Sequence, residues 1–350
     1  SGSGARGAVN QAVNLQERGL SIPRGAGFLA ALAGAGFLIW ACGDGGAPST
    51  PAPPAVTPAP PAAPPSLAWP VGGEEGLDWV INSYVDLDPG PGRRDYRGGD
   101  RTYNGHDGTD IYSPNFRWMD RDLPPVLAAA PGRVTDLRDG EFDRHSAIAD
   151  ARWNFVAITH ADGSRAIYGH LKKGSVSVSL GQSVDSREQL GVVGSSGRST
   201  RPHLHFEFRS RDIRVLDPFL DEMWADPPAY DPPLSVMDYH VQRGFITLRQ
   251  DKGLREFTDP PPNIDSIAVG EAMAIGLSLA GGRPGDSVRI ALRDGFGSLQ
   301  GDSIVDSGSA RHRFGWWNTT VLGDPGIWEV TIQENGETVR SHPLRVLPAR

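Results

Sequence analysis

Pro202-His203-Leu204-His205-Phe206-Glu207-Phe208 is the stretch on which the reading of the fold turns. In a strand, successive side chains point to opposite faces, so His203 and His205 share one face while Leu204 and Phe206 face a core. Two imidazoles on one face can reach a single site. An earlier cluster, Asn104-Gly105-His106-Asp107-Gly108-Thr109-Asp110, carries a second set of ligand-type side chains. Gly108 and the lack of helical periodicity put His106 and Asp110 on a turn into a strand. Between the clusters, Tyr168-Gly169-His170-Leu171 supplies a further histidine at a strand end.

The surrounding chain is β-like from Trp69 onward. Val126 to Ala130 leads through Pro131-Gly132 into Arg133-Val134-Thr135, and Phe155-Val156-Ala157-Ile158-Thr159 leads through Ala161-Asp162-Gly163-Ser164 into Ala166-Ile167-Tyr168. β-branched and aromatic runs broken by Pro-Gly and Asp-Gly predict hairpins. Pro227-Pro228 and Pro232-Pro233 mark a boundary, after which Ile246–Leu248, Ala272–Ile275, Ser287–Leu292, Trp328–Ile332 and Leu344–Val346 are expected to be short strands, with Asn335-Gly336 as one of the turns. Regular spacing of that kind predicts a β-sandwich, and the final stretch resembles bacterial immunoglobulin-like domains. The pair Trp316-Trp317 is expected to place one ring in the sandwich core and one at its edge.

The chain has 350 residues, more than the roughly 100–200 usual for one domain, so two folded domains with accessory segments are expected. With 34 Lys+Arg against 42 Asp+Glu the net charge is −8, which excludes a broad basic footprint for nucleic acid. The single cysteine excludes an intramolecular disulfide and a Cys-rich zinc cluster, so metal chemistry must rest on histidine and carboxylate.

Residues 1–23 read as a leader whose Gly2, Gly4 and Gly7 match G-x-G-x-x-G without the preceding strand that a dinucleotide site needs. Residues 24–42 read as a signal peptide with a lipobox or as a membrane anchor. After Arg24 the stretch to Gly43 is uncharged, and it ends Ile39-Trp40-Ala41-Cys42, which resembles the lipobox of bacterial lipoproteins. Residues 43–67 read as a linker, since Ala47 to Pro65 holds nine prolines in nineteen residues and favours polyproline II. At ~3.1 Å per residue such a tract spans roughly 60 Å. The assignment that follows is an exported protein of the cell envelope, attached to the membrane only through Cys42 or an N-terminal anchor.

Taken singly, H-x-H and H-x-x-x-D carry little weight. Their conjunction carries much more: H-x-x-x-D, a strand ending Tyr-Gly-His, then Gly197-Arg198-Ser199-Thr200 and Pro202-His203-Leu204-His205-Phe206-Glu207, in that order, resembles the lysostaphin/LytM-type zinc endopeptidases. The likeness runs from about Asp78 to Pro218. With the immunoglobulin-like sandwich that the strand spacing predicts at 234–350, the chain is expected to be mainly β; the likeness itself implies an antiparallel-sheet peptidase domain at 68–233. It further implies Zn²⁺ held by His106, Asp110 and His205, with His203 and His170 as the catalytic histidines that activate water and hydrogen-bond the oxyanion. Tyr103 is either an added oxyanion donor or a packed aromatic. The implied substrate is a peptidoglycan stem or cross-bridge peptide; the alternative is a non-catalytic relative that binds cell wall or activates an amidase. Two segments, Tyr112 to Pro124 and Asp139 to Asp150, look like insertions that rim the groove, with His145 exposed on the second. His160, His240, His312 and His342 lack partners at ligand spacing and take core or surface roles by default.

Overall fold

A computed structural model describes residues 63–247, 255–306 and 311–349. The glycine pattern near the N-terminus, the apolar stretch with Cys42 and most of the Pro-rich tract lie outside the described residues. The first half comprises β1 (Val80–Ser83), β2 (Thr109–Tyr112), the short helix α1 (Phe116–Asp120), β3 (Pro125–Leu127), β4 (Gly132–Arg138), β5 (Phe155–Thr159), β6 (Arg165–Gly169), β7 (Ser183–Val184), β8 (Gln189–Val192), β9 (His203–Arg209) and β10 (Val215–Leu216). Eight of these strands form one sheet in the order β1-β2-β9-β6-β5-β4-β7, with β10 on the flank of β9. Its pairings are antiparallel.

The strand bearing the two histidines therefore sits in the middle of the sheet, between β2 and β6. Its Leu204, Phe206 and Phe208 are buried against Ile111, Val156, Ile158, Ala166 and Tyr168. Fully burying each such side chain is worth about 1.5–3 kcal/mol, which fixes the register of β9 and hence which face carries the imidazoles. The β5–β6 hairpin forms as its sequence suggests, with Gly163 at φ +87 and the Asp162 carboxylate accepting from Ser164 N at 3.0 Å. Pro131-Gly132 is not a hairpin turn: β3 pairs with β8 in a separate ribbon, and β4 pairs with β5 and β7. The chain joins this core at Leu67, which is fully buried and donates its N–H to Met223 O.

The second half comprises β11 (Ser235–Arg243), α2 (Arg255–Thr258), β12 (Ser266–Ala268), β13 (Ala272–Ala280), β14 (Ser287–Arg293), β15 (Leu299–Asp306), β16 (Arg313–Thr320), β17 (Gly326–Glu334) and β18 (Glu337–Leu347). A three-stranded sheet, β11-β13-β16, and a five-stranded sheet, β12-β18-β17-β14-β15, share one core built from Val236, Ile275, Leu277, Ile290, Trp328 and Ile332 among others. Asn335 and Gly336 adopt φ +47 and +93, the left-handed pair that a tight hairpin between β17 and β18 requires. Four of the five expected strands lie within β13, β14, β17 and β18. Of the fifth, residues 246 and 247 carry no strand and residue 248 lies outside the described residues; the chain pairs through β11, which precedes them. Both indoles of Trp316-Trp317 are buried, Trp317 in the sandwich core and Trp316 on the opposite face under Phe257 and Ile246.

Tyr168 ties the site-bearing sheet to the β3 ribbon, its buried hydroxyl accepting the Ala129 N–H at 2.8 Å. Removing that oxygen strands a buried amide. Tyr168→Phe is expected to lower stability by about 1–3 kcal/mol, read as a lower urea midpoint at unchanged m-value.

Candidate metal centre

Cross-strand register builds the site. Asp110 on β2 lies directly opposite His205 on β9, and Gly169 at the end of β6 lies opposite His205 on the other side. His106 comes from the turn before β2. The donor atoms of His106, Asp110 and His205 all lie within 4.8 Å of one another, and all three residues are buried. His106 Nε2 is 3.1 Å from Asp110 Oδ1, His205 Nδ1 is 2.9 Å from the same oxygen, and the two ring nitrogens are 3.3 Å apart. Three donors at about 2.0–2.2 Å from one tetrahedral ion are separated by roughly 3.3–3.5 Å, so the spacing suits zinc with little movement.

The protons point the right way for that purpose. His106 Nδ1–H donates to Tyr84 O at 2.7 Å, which leaves Nε2 as the lone-pair nitrogen facing Asp110. His205 Nε2 faces the Glu207 carboxylate at 3.5 Å, which favours the proton on that nitrogen and leaves Nδ1 for the centre. Such outer hydrogen bonds set the tautomer of a ligating histidine. Burial alone would raise the Asp110 carboxyl, but the charges of His106 and His203 and the hydrogen bonds of His106 and His205 hold it well below the usual range. Burial would likewise push His205 down, but Asp110 and Glu207 outweigh it and lift it to about 9. The pocket thus demands a positive charge, which a proton or a divalent cation can supply. A His₂Asp donor set with its outer partners in place fits zinc.

The other two expected residues are brought to the same place. His203 Nε2 lies 3.7 Å from Asp110 Oδ1, and the His170 and His203 rings are 4.5 Å apart. His170 has φ +62, an unusual conformation for a non-glycine residue, and its Nδ1–H donates to Ser196 O at 2.6 Å. His203 Nδ1–H donates to Arg201 O at 2.9 Å. Burial and the charges of His203 and His205 keep the His170 imidazole neutral, far below its ordinary value. Tyr103 stacks on the His106 ring, with centroids 4.2 Å apart.

Two glycines in the motifs have steric reasons. A Cβ at Gly108 would stand 2.7 Å from His205 Cε1 and from Phe206 O, and one at Gly169 would stand 2.1 Å from Trp153 Cζ3. Trp153 is the residue that the sequence reading missed. Its half-buried indole walls the site 5.1 Å from His170 and 5.9 Å from His205. Its only sequence-level signal is an aromatic side chain just ahead of β5. Glu207 was visible within the motif but unassigned, although the period of two puts it on the face of His203 and His205.

His145 is half-buried rather than exposed. The segment carrying it is stitched to the loop before β9, with His145 N donating to Ser195 O and Ser195 Oγ donating to His145 O. His160, His240, His312 and His342 are all buried.

The family model for peptidase family M23 matches residues 104–218. This segment is thus similar to the M23 peptidase domains. The chain is 32% identical over 143 residues to the cell division protein DipM of Caulobacter vibrioides, covering 41% of this chain and 18% of that protein. It is 37% identical over 109 residues to a DD-carboxypeptidase/endopeptidase Mpg of Neisseria meningitidis, covering 31% and 21%. It therefore spans about a fifth of the length of these curated relatives. Among solved structures, a zinc-containing peptidase from Vibrio cholerae is similar at 28% identity and a TM-score of 0.29, over 44% of this chain and 39% of that one.

Replacing the central carboxylate leaves two imidazoles without their anion, so Asp110→Ala is expected to purify without zinc. Glu207→Ala, which removes only the outer partner of His205, is expected to weaken zinc binding about 10–100-fold in competition with a chromophoric chelator.

Proposed function

We propose that this protein is a zinc-dependent endopeptidase that hydrolyses peptide bonds in peptidoglycan stem or cross-bridge peptides. The observation that carries the reading is the convergence of His106, Asp110 and His205 on one point, with His203 and His170 beside it. Bound zinc would polarise the scissile carbonyl and lower the pKa of a water toward ~7. The chain's own residues supply the rest. Since Arg201 O takes the Nδ1 proton of His203, Nε2 is the proton-accepting nitrogen on the side of Asp110. It can take a proton from the attacking water and pass it to the leaving nitrogen. His170, with Nδ1–H committed to Ser196 O, also presents Nε2 as an acceptor. Either ring, once protonated, donates to the oxygen that gains charge during attack. Trp153 and the buried walls of the sheet limit water around these groups.

Residues 68–233 are taken as the peptidase unit and residues 234–350 as an immunoglobulin-like sandwich, a reading supported by the two separate cores. Export to the cell envelope and lipid attachment at Cys42 rest on the apolar stretch and the Pro-rich tether that follows it. Mass spectrometry of the mature protein from a bacterial host is expected to find acylated Cys42 as the N-terminal residue; cleavage elsewhere or an unmodified Cys42 sinks that part.

The test of the enzymatic reading separates holding zinc from using it. His203→Ala is expected to retain near-stoichiometric zinc while losing on the order of 10²–10⁴ in turnover of cross-linked muropeptides. Loss of zinc as complete as in His205→Ala would reassign His203 as a ligand, and zinc-loaded wild type that cleaves no peptidoglycan peptide would end the reading.

A further inference from the structure

The sheet β11-β13-β16 does not hang free of the metal site. It packs against the edge formed by β1, β2 and α1. Val80 and Tyr112 share a small core with Met237 and Ala280, and Asn115 Nδ2 donates to Asp238 Oδ2 at 2.6 Å. Arg117 reaches Asp238 at 3.4 Å and Tyr239 O at 3.2 Å. At the end of this contact nearest the metal centre lies a buried arginine. Arg201, 7% exposed, extends its guanidinium from the loop before β9 over the rings of Tyr112 (4.6 Å) and Phe314 (5.6 Å). Its Nη1 meets His312 Nδ1 at 3.2 Å. Phe314 and His312 belong to the second half of the chain; Tyr112 faces His203 across the β2–β9 ladder, its ring 4.8 Å from that imidazole.

The protons along this contact are determined by chemistry. A guanidinium only donates, so His312 Nδ1 must accept and the proton must sit on Nε2. Nε2–H then donates to Ser278 Oγ at 2.8 Å, and Ser278 Oγ–H donates to Pro114 O at 3.3 Å. His312 is fully enclosed, and burial with the nearby Arg201 and Arg313 charges holds it neutral, far below its ordinary value. The other end of Arg201 is its carbonyl, which accepts from His203 Nδ1–H at 2.9 Å and from Ser199 Oγ at 2.9 Å.

We propose that the C-terminal sheet is a working part of the peptidase site: His312 clamps the Arg201 guanidinium, and this fixes the Arg201 carbonyl that orients His203. His312 and Arg201 are positioning residues, not catalytic ones, because neither reaches the metal-facing donors. The inference rests on the endopeptidase reading for its rate consequence, but not for its structural one. It departs from the expectation of a separable C-terminal domain: deleting the sandwich would remove His312, Phe314 and Ser278 together and release the loop that holds His203.

The test uses the full zinc-loaded chain with His312→Leu and His312→Gln. Glutamine can accept from Arg201 through Oε1 and donate to Ser278 through Nε2; leucine can do neither. His312→Leu is expected to keep wild-type zinc content and a KM within about twofold, while kcat on a soluble cross-linked muropeptide falls on the order of 10–10²-fold, the scale set by a misplacement of about 1 Å. His312→Gln is expected to recover most of that loss. In parallel, ¹⁵N NMR of the His203 ring, assigned by its loss in His203→Ala, is expected to show one Nδ1–H tautomer in wild type and His312→Gln and a mixture in His312→Leu. Should His312→Leu fail to fold, Ser278→Ala takes its place, with a kcat loss of a few-fold and the same direction of change at His203. Wild-type kcat and an unaltered His203 ring in either variant overturn the proposal, as does a loss that the glutamine variant does not relieve. A zinc-loaded wild type without peptidase activity refutes the enzymatic reading instead, and the NMR comparison then still decides the clamp.

Discussion

A buried carboxylate facing two imidazole nitrogens is the interaction on which the rest of this structure depends. Asp110 sits almost out of water, with His106 Nε2 and His205 Nδ1 about 3 Å from one of its oxygens. Burying such an anion without compensation costs several kcal/mol, and the pocket offsets that cost by drawing positive charge to Asp110, as a second proton on an imidazole or as a divalent cation. A cation resolves the conflict. Tyr84 O holds the His106 proton on the far nitrogen, Glu207 does the same for His205, and the apolar face of β9 keeps both histidine rings from rotating away.

The fold serves this point by register. Antiparallel pairing of β2 with β9 puts Asp110 against His205, and β6 on the other flank delivers His170 in a strained conformation that only firm packing sustains. The second half of the chain adds a further constraint through Arg201, so two sheets remote in sequence meet beside His203.

Much of the site could be read from residues alone because it is local. The alternation His203-Leu204-His205-Phe206 assigns faces without any knowledge of the sheet, and Gly108 signals the close approach that the His205 ring makes. What could not be read depends on pairing across long separations. Trp153 reaches the site only because β5 and β6 run side by side, and His312 meets Arg201 only after two sheets dock. β11 is not legible in the sequence because its register shifts between Val236 and Asp238, which breaks the alternation that marks a strand. Pro131-Gly132 misled for the converse reason: a local turn signal was outweighed by the pairing of β3 with β8.

The central claim is that the charge conflict at Asp110 is resolved by zinc held through two imidazoles and a carboxylate. X-ray absorption at the zinc edge, recorded on the full chain, tests it most directly. The account predicts one zinc per chain in a shell of nitrogen and oxygen at about 2.0–2.2 Å, with the outer-shell scattering of two imidazoles. A protein that takes up no stoichiometric zinc, or a shell containing sulfur at about 2.3 Å, contradicts it.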